Sequence, residues 1–90
     1  AAYCQVITAN CTGDDAEYAD EDACLTACES LNDNGNDCSA DLTSCTTSGD
    51  SVQCRAYHAD AASEDAALHC PHAGEVSEMA DGSAGPCTDG

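Results

Sequence analysis

The stretch CRAYHADAASEDAALHCPHAG, residues 54–74, contains all three histidines of the chain (His58, His69, His72), two of its nine cysteines (Cys54, Cys70) and its single basic residue, Arg55. Imidazole and thiolate are ligands for copper, zinc or haem iron, so metal chemistry would sit here. Spacing constrains it. On one unbroken helix His58 and His69 would share a face about 16 Å apart, too far to hold one ion. Ser63 can break the segment into two helices, and a hairpin of the two lets the histidines approach, with His69, Cys70 and His72 at a proline turn. A second reading of the same residues needs no ion. It places Cys70 in a disulfide, His58 as a hydrogen-bonded core residue, and His69 and His72 at a helix C-terminus, where imidazolium is favourable. The histidines carry no accompanying signature of acidic or cysteine ligands, so the second reading is preferred. Haem attachment motifs set His directly after Cys; here Pro71 intervenes.

Other chemistry is hard to place. No GxSxG, CxxC or phosphate-binding loop occurs, and no nucleophile–base pair or paired carboxylates can be assigned, so an enzyme is not expected. The best cation loop is NDNGND, residues 32–37. Aligned on Gly35, an EF-hand would need an acid where Ser30 stands and Glu where Asp41 stands, so the segment reads as a turn. Asn10-Cys11-Thr12 is a formal N-glycosylation sequon.

The elements that must position these residues belong to a small, acidic chain. Eighteen Asp and Glu against one Arg give a net charge of −17, which excludes nucleic acid and anionic membrane surfaces as partners. The acids are scattered, as on a solvated surface. Only twelve side chains among the 90 residues are large and apolar, counting tyrosines and Met79. Nine cysteines are the composition of a disulfide scaffold, which persists in oxidising compartments. The chain is therefore expected to be secreted. Its opening AAYC, without an initiator Met, fits a mature form after signal-peptide removal. No apolar run is long enough for membrane insertion.

Periodicity predicts an all-α, disulfide-rich domain of three to four short helices over residues 1–74, followed by an extended tail over 75–90 that carries Cys87. Tyr3, Cys4, Ile7 and Cys11 fall on one stripe of a first helix, stopped by Gly13. Asp20 is a natural N-cap for a second, on which Cys24, Leu25, Cys28 and Leu31 share a face. The two should pair as an antiparallel hairpin, with Cys4 or Cys11 bridged to Cys24 or Cys28. SADLTSC suits a single turn. A third helix is expected over 51–62, and a fourth, capped by Ser63, should end at or before Cys70 because Pro71 follows.

The segments YC…NCTGDDAEYADEDACLTACESL and CRAYHADAA…HCPHAG…C resemble a group of small cysteine-rich exported proteins of myxobacteria and related bacteria. The likeness spans most of the chain and implies export and a shared fold, but no reaction. Cys38 and Cys45 look like an addition that closes a local loop.

Nine cysteines cannot all pair within one chain. The disulfide set is read as Cys4, Cys11, Cys24, Cys28, Cys38, Cys45, Cys54 and Cys70, which leaves Cys87 to bond a neighbouring subunit. A bridge across a two-fold axis uses one cysteine per subunit; a head-to-tail bridge uses two and leaves an odd thiol. The function expected is a secreted structural subunit that self-assembles into an extracellular filament or surface assembly, with itself as partner. The alternative is a metal- or haem-binding module for electron transfer or metal capture, centred on His58, His69, Cys70 and His72.

Overall fold

A computed structural model describes residues 2–33, 35, 38, 41–74, 76–79 and 83–88. Four helices appear in chain order: α1 (Ala2–Asn10), α2 (Glu21–Cys28), α3 (Val52–Ala61) and α4 (Ala66–Ala73). Single 3-10 turns stand at Gly13–Asp15 and Leu42–Ser44. Among the described residues the only β pairing is an isolated bridge between Glu78 and Ala84. The domain is all-α and disulfide-rich. Asn34, Asn36 and Asp37 of the NDNGND turn, and Ser39 and Ala40 of SADLTSC, lie outside the described residues.

Local chemistry accounts for the helix ends. Asp20 caps α2 by accepting from the Ala23 amide at 2.8 Å, and Ser51 caps α3 by accepting from the Cys54 amide at 3.1 Å. Gly13 follows α1 with φ +59°, a conformation that L side chains rarely adopt. Two expectations for α4 are corrected. Its cap is Asp65, whose carboxylate accepts from the Leu68 amide, and not Ser63. The helix also runs through Pro71 to Ala73. Proline removes only one amide donor there, and the bond between Cys70 and Cys11 holds the surrounding turn in place.

α3 is the central element, packed against both α1 and α4. The interior is made largely of small side chains: Ala59 and Ala73 are fully buried, Ala56 and Ala62 nearly so, and the half-cystines Cys4, Cys24, Cys54, Cys70 and Cys87 are inaccessible. Of the large apolar residues only Tyr3 and Ile7 are buried. Much of the polar interior is bonded. The Tyr3 hydroxyl donates to the Ala73 carbonyl at 2.6 Å and meets the Tyr18 hydroxyl at 2.9 Å. Buried Arg55 donates to the carbonyls of Gly74 and Ser51 and pairs with Asp50 at 2.9 Å.

Four disulfides staple these parts: Cys4–Cys24, Cys11–Cys70, Cys38–Cys45 and Cys54–Cys87. The first joins α1 to α2 as the hairpin requires, while Cys11 turns to α4 instead. Cys38–Cys45 closes the local loop. The remaining assignments are corrected: Cys28 is the unpaired cysteine, and Cys87 is bonded within the chain. Cys28 is left over because Cys24, one turn earlier on α2, takes Cys4, and Cys70 takes Cys11. Cys87 is delivered to α3 because the segment after α4 folds back. There the Glu78 amide donates to the Pro71 carbonyl, Met79 to Ser83, and Gly85 to Ser77. The Cys87 amide donates to the Ser77 hydroxyl at 3.0 Å. The described part of 75–90 has no helix, but it is docked on the domain rather than standing away from it.

Candidate functional site: three converging histidines and an uncovered apolar surface

His58 lies in the last turn of α3, and His69 and His72 lie three residues apart on α4. The α3–α4 hairpin brings them together, and one ligand nitrogen from each falls within 4.8 Å of the other two. Ring centroids are 5.2 to 5.7 Å apart, with His58 and His69 stacked and His72 edge-on to both. His58 and His72 are buried; His69 is half-buried.

The hydrogen bonds set the state of the rings. Nε2 of His58 faces the Thr47 carbonyl at 3.2 Å. A carbonyl can only accept, so Nε2 carries the proton and Nδ1 presents its lone pair, 3.5 Å from Nδ1 of His69. His72 differs: both ring nitrogens are buried with no hydrogen-bond partner among the described residues. Burial disfavours imidazolium at His58 and His72 and pushes both below the ordinary histidine value, and the neighbouring rings add to the effect. Burial therefore favours neutral, lone-pair-bearing rings at His58 and His72.

Cys54 and Cys87 also approach His58 within ligand range, but as a disulfide they hold no thiolate. Cys70 is likewise spent on Cys11, which corrects its place in a metal set. The histidine part of the alternative site is thus brought together, and its cysteine is not. Haem iron fits poorly here. A porphyrin takes four positions in one plane and leaves two on opposite sides, so a third adjacent imidazole has no place. The sequon is also engaged: the Asn10 side-chain nitrogen donates to the Ala59 carbonyl at 2.9 Å, and Cys11 is buried.

Outside the cluster, the surface carries large apolar side chains. Val76 is 75% exposed, and Leu25, Leu68 and Met79 are close to 40% exposed. They lie on α2, on α4 and in the segment after α4. Leu25 shares its expected core-facing stripe with Cys24, Cys28 and Leu31, but Cys24 is the buried member of that stripe and Leu25 stands exposed.

A family model described as the BfoA family C-terminal domain matches residues 1–89. The chain belongs to this family. No curated protein and no solved structure matches it. For this BfoA-family domain the four disulfides point to an oxidising environment, and among the described residues no helix is long and apolar enough to cross a membrane.

Proposed function

We propose that the domain is a secreted structural subunit that self-assembles into an extracellular filament or surface layer. The observation that carries this reading is the share of large apolar side chains left exposed. Scattered exposed apolar residues are ordinary in most domains. Here Leu25, Leu68, Val76 and Met79 make up a third of the chain's stock of large apolar side chains, and only Tyr3 and Ile7 are buried. Contact with a second copy would remove that surface from water, at roughly 25 cal/mol for each Å² buried. The disulfide framework supports the extracellular part of the reading.

Charge opposes association. Subunits of net charge −17 repel one another unless salt or bound cations screen them. With Cys87 committed to Cys54, the contacts between subunits are non-covalent; Cys28 alone could join one neighbour across a two-fold axis. Sedimentation velocity and negative-stain microscopy of the disulfide-intact chain test the reading, in chelator, from low salt to about 1 M NaCl. Assembly should grow with salt. Val76→Asp with Met79→Asp should suppress it while leaving the monomer's melting temperature unchanged. A chain that stays monomeric at high salt and high concentration would remove the reading.

A further inference from the structure

A buried polar atom without a partner is uncommon in a folded protein, and where one persists an ion, a water or a function usually accounts for it. His72 presents two such atoms, both ring nitrogens, facing two other imidazoles. We propose that His58, His69 and His72 form a binding site for one late first-row transition-metal ion of the copper–zinc class.

Six features of the site support this. Three nitrogens bound to zinc at about 2.0–2.1 Å in a tetrahedral arrangement stand roughly 3.3 Å apart. His58 Nδ1 and His69 Nδ1 are already 3.5 Å apart, and one nitrogen from each of the three rings lies within 4.8 Å of the other two. Little movement closes the set. The Thr47 carbonyl holds the proton of His58 on Nε2 and so aims the Nδ1 lone pair inward, the outer-shell arrangement that metal-bound histidines commonly have. The donors are imidazole nitrogens, which suit copper and zinc better than the oxygen-seeking calcium and magnesium. His69 is the partly exposed member, so solvent and the ion reach the site from its side. The surrounding charge of −17 raises the local concentration of any cation. The disulfide Cys11–Cys70 sits between His69 and His72 in sequence and pins their turn of α4, so the donors are held before the ion arrives.

The test uses the disulfide-intact chain, freed of metal by chelator and titrated separately with zinc chloride and copper(II) chloride in about 0.5 M NaCl to suppress binding by surface carboxylates. One equivalent should bind, with a melting temperature raised by several degrees. His72→Gln and His69→Ala should each weaken binding by 100-fold or more, while Asp22→Asn should leave it unchanged. Far-ultraviolet dichroism checks that each variant folds, and half-exposed His69 is the position least able to disturb folding. Electron paramagnetic resonance of the wild-type copper complex supplies a readout that needs no variant: couplings to three imidazole nitrogens are expected. Several weak ions lost at high salt, affinity indifferent to His69 and His72, or a copper signal with oxygen donors alone would each overturn the proposal. None of these outcomes bears on assembly, which is measured in chelator.

Discussion

Cys70 is bonded to Cys11, and the bond ties the end of α1 to the turn of α4 that carries His69 and His72. One covalent link therefore closes the longest loop in the chain and orients two of the three clustered histidines. Cystine does here what a larger apolar core would do elsewhere, because Tyr3 and Ile7 are the only large apolar side chains fully inside.

The staples should differ in worth according to the loops they close. Chain-entropy arguments give about 4 kcal/mol for a loop of 59 residues and about 2 kcal/mol for one of 7, the separations of Cys11–Cys70 and Cys38–Cys45. Replacing both cysteines by serine at the first pair should thus lower the melting temperature by roughly 10 °C more than at the second. Thermal unfolding followed by circular dichroism checks this. Equal losses at the two sites would show that loop closure is not what these bonds supply.

Gly85 should be intolerant of any side chain. A Cβ built there would stand 2.7 Å from both the Glu78 amide nitrogen and the Ser77 hydroxyl oxygen. These atoms belong to the fold-back that brings Cys87 to Cys54: the first is backbone, and the second is a buried hydroxyl held by the Cys87 amide. Gly85→Ala should cost about 1–3 kcal/mol, the usual penalty for forced overpacking. Hydrogen exchange should localise the loss to residues 76–88, with faster exchange at the Gly85 and Cys87 amides. Unchanged protection there would contradict the close approach.

Much of this architecture was legible in the sequence, for identifiable reasons. α1, α2 and α3 show a helical stripe or a strong cap, and Asp20 and Ser51 act through hydrogen bonds to residues only three positions on. The approach of His58 to His69 followed from geometry, since a single helix could not bring them together and a hairpin could. Partner choice among the cysteines was not legible. It depends on how three helices and a docked segment meet, and spacing along the chain does not encode that. Cys87 looked free because a short acidic segment rich in glycine and serine carries no helical signal. Its attachment comes from backbone hydrogen bonds to Pro71 and Ser77 instead. The burial of Arg55 was equally hidden: beside the Asp50 carboxylate it donates to the carbonyls of Ser51 and Gly74, and carbonyl partners leave no trace in a pattern of side chains.

Tyr3 should set part of the alkaline limit of the fold. Its phenol is buried, bonded to the Ala73 carbonyl and the Tyr18 hydroxyl, and burial pushes its ionisation far above the ordinary value of 10.0. Tyr18 adds to that rise and Cys28 does so weakly, while the Arg55 guanidinium opposes it. The unfolded chain therefore releases a proton near pH 10 that the folded chain keeps, and stability falls as pH rises above that point. The slope should approach about 1.4 kcal/mol per pH unit from this residue alone. Urea unfolding between roughly pH 9 and pH 11 measures it, in a Cys28→Ser background so that a thiolate cannot exchange with the disulfides. Tyr3→Phe in the same background should be less stable at neutral pH, having lost the bond to Ala73, yet lack this part of the alkaline slope. Tyr18 and Tyr57 remain in both chains, so the difference isolates Tyr3. Parallel slopes in the two would mean that Tyr3 ionises in the folded chain as readily as in the unfolded one, and that its burial does not control the alkaline limit of this fold.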